Sequence, residues 1–187
     1  DRDLGRLSGV NHATSYFEHP LTNIGISLIF IVLAGLVAMV LFENTANILI
    51  VVIAAGLGAY MALNIGANDV ANNMGPAVGA NALSMGGAIA IAAIFESAGA
   101  LLAGGDVVST VAKGIIAPEN MRTTAIFIFA MLSALLSAAL WVNLATWVGA
   151  PVSTTHSVVG GVMGAGIAAA GFAAVNWPTM YKIAASW

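Results

Sequence analysis

The 187-residue chain contains no cysteine. That absence excludes a disulfide framework, a thiolate nucleophile and any cysteine-ligated metal, and it removes the usual clue to redox compartment. Charge is scarce too: five Lys and Arg and eight Asp and Glu make up 7% of the chain, where an ordinary soluble domain carries about 25%. With a formal charge of -3 and no basic block, nothing could neutralise several phosphates of a polynucleotide, so nucleic-acid binding is excluded. The polar, mixed-charge lead over residues 1-20 also lacks the apolar centre of a secretory signal peptide.

What is present is hydrocarbon. Sixty per cent of residues are hydrophobic, the mean hydropathy is +0.97, and the apolar runs approach the roughly twenty residues that a core about 30 Å thick requires of a helix. These features predict an all-α polytopic protein of the cell membrane, a transmembrane helix bundle over residues 21-187 behind the polar lead. Charge-free residues 21-42, 48-65 and the long run 123-148 read as spans, the last carrying Trp141 and Trp147 toward one end. Residues 85-104 form a small-residue-rich stretch, and the more polar 104-122 reads as a re-entrant or half-membrane segment. The basic residues Arg2, Arg6, Lys113, Arg122 and Lys182 are too dispersed to set an orientation. Starting at Asp1 and stopping in "NWPTMYKIAASW", the entry to another helix, the chain reads as a piece of something longer.

One stretch contradicts its surroundings. "LNIGANDVANNMGPAVGA", Leu63 to Ala80, places an aspartate and four asparagines at the end of an apolar run. An aspartate at the centre of a membrane helix costs about 2.5-3.5 kcal/mol on insertion scales, so by default it marks a lined cavity, a partner or an ion path. Asp69 with the amide oxygens of Asn68, Asn72 and Asn73 makes a set of hard oxygen ligands suited to a small alkali cation, sodium above all. Gly66, Gly75, Pro76 and Gly79 favour a local break that would expose backbone groups, tolerated at such depth only around a cavity. A surface hinge with Asn and Asp serving turn geometry is the plainer alternative. The pairs Gly75/Gly79 and Gly160/Gly164 have the spacing of close helix packing in lipid.

The second constellation is "APVSTTHSVVGG", in which Ser153, Thr154, Thr155, His156 and Ser157 precede a helical run. Hydroxyls and free N-H groups at a helix N-terminus attract anions, and with bound sodium they could share the charge of a phosphate; simple N-capping explains one such residue. Glu96, inside a hydrophobic stretch, is either a coupling residue or a buried partner, and Ser109 and Thr110 are further candidates to line an ion site. His156 is read as an orienting or packed polar group. A hydrolase built from Ser153 or Ser157, His156 and Asp69 is disfavoured because no Gly-x-Ser-x-Gly elbow occurs.

Taken together, "GANDVANNMGPAVGA", "FESAGALLAGGDVVSTVAKGII" and "GAPVSTTHSVVGGVMGAGIA" resemble the inorganic phosphate transporter (PiT) family, in the family's order across roughly residues 60-170. The resemblance implies a symporter of inorganic phosphate with sodium or protons, needing no other cofactor and no enzymatic chemistry. It implies two homologous halves of opposite topology with broken or re-entrant helices meeting near the membrane centre, as in other inverted-repeat transporters. It makes Asn68, Asn72, Ser153, Thr154 and Thr155 candidates for phosphate, Asp69 with Asn68 and Asn72 candidates for sodium, and Glu96 similar to an intramembrane glutamate needed for transport. The family's second Asp-Asn motif and second hydroxyl-rich motif do not occur here, so a second half, in the same protein or in a separate chain, is expected to complete the site. A homodimer is implied by resemblance alone. Proton coupling, a related oxyanion such as sulfate, and a role as an assembly subunit stay open at this level.

Overall fold

The computed structural model describes residues 20-187; the polar lead, apart from Pro20, lies outside the described residues. Six α-helices follow in order: α1 Pro20–Leu41, α2 Ile48–Gly79, α3 Met85–Ser109, α4 Thr124–Trp147, α5 Thr154–Ala170 and α6 Trp177–Ser186. A π-helical turn, Thr110–Gly114, extends α3, and short 3-10 turns lie at Pro118–Asn120 and Phe172–Ala174. Four of these helices, α1 to α4, are long and apolar enough to cross a bilayer. Their large side chains face outward, Leu101 and Leu102 each 87% exposed, which suits lipid and would be ruinous in water. The protein is an all-α, multi-pass membrane protein.

The chain divides after Tyr60 into two compact units. In the first, α1 begins at Pro20, whose missing N-H is no loss at a helix start. Its Gly35 lies where an added Cβ would meet Val52 Cγ1 at 3.4 Å, so the two helices approach through a glycine.

The second unit, Met61–Trp187, holds both polar motifs. Here the expected break in α2 is corrected: the helix runs without interruption through Asp69 and Pro76 to Gly79. Energetics decides this. A glycine costs a helix about 1 kcal/mol, whereas each backbone group left without a partner in hydrocarbon costs several. Pro76 does remove one bond, but it sits in the last turn. The helix stops at a Schellman cap, in which Asn81 takes φ 57, its N-H bonding Val78 O at 3.0 Å while that of Ala82 bonds Ala77 O at 2.9 Å. Ser84 then caps α3, its Oγ accepting from Gly87 N.

The polar segment after Gly104 is also corrected in part. Residues up to Ser109 continue α3, and the turn that follows leads into Ile115 and Ile116, both fully buried. These two are pinned by an Asn176 N-H bond to Ile115 O at 2.8 Å and by a bridge between Ile116 and Val175. Helices α4 and α5 form the core hairpin. Ala130, Ala134, Ala138 and Val142 make a buried stripe at every fourth position of α4, the small-residue packing that lipid favours. The closest approaches, however, are at Gly161, where a Cβ would come within 2.8 Å of Ala134 O, and at Gly166, where it would fall on Ile116 Cδ1. The spaced pairs Gly75/Gly79 and Gly160/Gly164 meet nothing within 4 Å, so the packing role expected of them is not seen among the described residues.

Candidate cation and phosphate site

Because α2 is unbroken, its asparagines fall into a stripe. Asn64, Asn68 and Asn72 recur every fourth residue and so lie near one another on one flank; Asn64 and Asn68 are only 4% and 5% exposed. The C-terminal half of α4 answers them. Asn143 Nδ2 donates to Asn64 Oδ1 at 2.9 Å, and Asn68 Nδ2 donates to Thr146 Oγ1 at 3.2 Å and, more weakly, to Ala150 O at 3.5 Å. Asn72 Nδ2 donates in turn to Asn68 Oδ1 at 2.9 Å. A cavity of about 400 Å³ lies against Ser153, His156 and Ser157, and one of about 320 Å³ is lined by Asn68, Asn72, Thr146 and Ala150 among others.

Asp69, one residue or about 100° around the helix from Asn68, faces the start of α5. Thr154 Oγ1 donates to its Oδ2 at 2.7 Å, a short charge-assisted bond of the stronger class. Thr154 is buried at 7% exposure and opens α5, so the carboxylate also lies where the partial positive charge of a helix N-terminus favours it. Ser153 is the N-cap, its Oγ accepting from His156 N at 3.2 Å, which leaves its hydroxyl proton uncommitted. Ser157 Oγ donates to Ser153 O at 2.8 Å, Thr155 is exposed, and the His156 ring rests on that of Trp187 at 3.5 Å. No Ser-His-Asp relay forms among these contacts.

The helix ends expected from a broken α2 are therefore supplied by other helices. The C-terminus of α4 brings carbonyls, the N-terminus of α5 brings N-H groups, and both meet the flank of an intact helix. Glu96 lies elsewhere, on an apolar groove of about 790 Å³ between α2 and α3. Ala67 and Ala71 line both that groove and the Asn68 cavity, so the two flank one helix. Ser109 and Thr110, about 20 Å along the helix axis from Glu96, are not brought in: both hydroxyls bond Asp106 O.

A family model described as the phosphate transporter family matches residues 65–187. The chain belongs to the phosphate transporter family. It is 53% identical over 185 residues to a Helicobacter pylori protein named "Putative phosphate permease", covering 99% of this chain and 35% of that one. A Thermococcus kodakarensis protein of the same designation is 45% identical over 74% of this chain and 34% of its own. Among solved structures, one titled "The sodium-dependent phosphate transporter" is 47% identical with a TM-score of 0.69, over 74% of this chain and 34% of that one. The chain thus spans about a third of the length of these phosphate transporter family relatives.

Sequence reasoning missed Asn64, Asn143, Thr146 and the Ala150 carbonyl. The i, i+4, i+8 spacing of Asn64, Asn68 and Asn72 was the available signal for a polar helix flank. Nothing local pointed to the partners, which lie 78 to 82 residues away in sequence.

Proposed function

We propose that residues 21-187 belong to one half of a symporter that carries inorganic phosphate across the cell membrane with sodium, and that a homologous half completes the site. The observation that carries this reading is the 2.7 Å bond between Thr154 and Asp69. It joins the acceptor-rich flank of α2 to the anion-attracting start of α5, two features separated by 85 residues of sequence. The family description and the sodium-dependent neighbour support phosphate as substrate and sodium as coupling ion.

The geometry suggests how coupling could arise. With Asp69 charged and no cation near it, the Thr154 hydroxyl is committed to the carboxylate, and an approaching phosphate meets a negative charge beside the α5 N-terminus. Sodium bound at Asp69, with amide oxygens of Asn68 and Asn72 as further ligands, offsets that charge. The Thr154 proton can then turn toward a phosphate oxygen, joined by the Ser153 and Thr155 hydroxyls and the first N-H groups of α5. Cation and phosphate thus favour each other's binding, the reciprocity that symport needs. Glu96, on α3 across the groove from the adjacent flank of α2, serves this scheme as a second coupling carboxylate, while Ser109 and Thr110 would join an ion path only at the far end of α3.

The test is uptake of labelled phosphate into proteoliposomes containing the full-length protein, with and without a sodium gradient. We expect sodium-dependent uptake that Asp69→Asn abolishes and that sulfate does not inhibit. Uptake indifferent to sodium would overturn the coupling ion, and equal competition by sulfate would overturn the substrate.

A further inference from the structure

We infer that Thr146 is a positioning residue that sets which end of the Asn68 and Asn72 amides the cavity receives, an inference that rests on the transport reading. An asparagine amide has a donor end and an acceptor end of nearly the same shape, and only its neighbours decide the orientation. Here the neighbours leave one choice. Val142 O can only accept, and Thr146 Oγ1 lies 2.8 Å from it, so the hydroxyl proton is used there and lone pairs alone face Asn68. Ala150 O, also an acceptor, is held by the Schellman end of α4, where Ala150 N bonds Ala145 O at 2.8 Å and Gly149 N bonds Thr146 O at 3.1 Å. Gly149 makes that turn possible with φ 72.

Facing two acceptors, Asn68 must present Nδ2, at 3.2 Å from Thr146 and 3.5 Å from Ala150. Its Oδ1 is then turned toward Asn72, which answers with Nδ2 at 2.9 Å. The polarity fixed at Val142 passes through Thr146 and Asn68, and it leaves Asn72 Oδ1 as the amide oxygen these bonds do not use, on a cavity of about 320 Å³. The contact at Ala150 is too long to hold this order alone. Thr146, whose hydroxyl is already engaged by Val142 O and Asn68, therefore acts through Asn68, and it decides that Asn72 offers an oxygen, as a cation requires.

The experiment compares Thr146→Val, which keeps the shape and loses the hydroxyl, with Thr146→Ser, which keeps the hydroxyl, in the full-length protein reconstituted into proteoliposomes. In Thr146→Val the sodium concentration for half-maximal phosphate uptake should rise by about threefold to tenfold, the loss of one neutral hydrogen bond, with the maximal rate preserved; Thr146→Ser should match wild type. A lower maximal rate with unchanged sodium dependence means a merely structural role and overturns the inference. If wild type takes up no phosphate, the transport reading fails separately. The side-chain amide NMR signals of asparagine-labelled protein then decide: Asn68 and Asn72 should shift in Thr146→Val while Asn176 does not, and unchanged signals overturn the positioning role. Thr146→Ala reads the same quantities should the valine variant not fold.

Discussion

The bond between Thr154 and Asp69 makes a quantitative claim. Thr154→Val keeps the side-chain volume and removes a hydroxyl that donates at 2.7 Å to a carboxylate from a position only 7% exposed. Hydrogen bonds to charged groups are worth about 1.5–3 kcal/mol, so the variant should unfold more easily by about that amount, with Asp69 left without its donor. Asp69→Asn should cost less, about 1 kcal/mol, because the hydroxyl can still donate to a neutral amide oxygen. Once Thr154 is valine, neutralising Asp69 removes a stranded charge and should cost little or even stabilise. The double-mutant cycle, measured by thermal unfolding of the detergent-solubilised full-length protein, should give a coupling of about 1–2 kcal/mol. Sodium-dependent phosphate uptake provides the second axis: Thr154→Val should weaken phosphate about tenfold or more, at 1.4 kcal/mol per decade, and Thr154→Ser should restore it. Additive single effects, with coupling below about 0.3 kcal/mol, would refute the view that the two motifs act as one unit.

Three further predictions test the scaffold. Gly161→Ala should destabilise by about 1–3 kcal/mol by overpacking, since its Cβ would meet the backbone oxygen of Ala134; unfolding at wild-type temperature would contradict the close approach of α4 and α5. Ser153→Ala should lose about 1 kcal/mol of cap energy and Ser153→Asp should retain it, read by the same melts, because the Ser153 oxygen accepts from His156 N. Asn81→Gly should be neutral or slightly stabilising and Asn81→Val clearly destabilising, by about 1–2 kcal/mol, given φ 57 at that residue; equal effects would rule out the left-handed cap.

Much of the fold was legible because lipid makes long apolar runs unambiguous. Pro20 and the charge-free run after it located α1, the run 123-148 located α4, and the polar cluster from Ser153 located the start of α5. The break expected between Gly66 and Gly79 does not occur, because glycine and proline signals are weaker there than the surroundings. In hydrocarbon the backbone's need for partners outweighs them, and the chain instead turns at Asn81. For the glycine pairs, spacing gives a face, but only the tertiary partner decides whether it is Gly160 or Gly161 that meets Ala134. In the candidate site, Asp69 stood out by its insertion cost and the hydroxyls from Ser153 by their place before a helical run, whereas Asn143 and Thr146 did not, being scattered polar groups on a mostly apolar helix.

The unbroken α2 also changes where coupling could reside. In a site made from one broken helix, cation and anion ligands would move together as that helix flexes. Here the carbonyl end of α4 and the amide end of α5 are tied by residues 148-153, while Asp69 and the asparagines sit on a separate rigid rod. Relative sliding of that rod against the hairpin would change the Asp69–Thr154 distance directly, and a shift of about 1 Å suffices to lose a hydrogen bond of this length. Cation binding at Asp69 would then alter both the charge seen by phosphate and the contact that holds the rod to the hairpin. Crosslinking α2 to α4 with a short, reducible bifunctional thiol reagent between cysteines placed at Asn64 and Asn143, whose amides meet at 2.9 Å, should therefore arrest uptake, and reduction should restore it. Full transport in the crosslinked protein would show that the rod and hairpin move as one body.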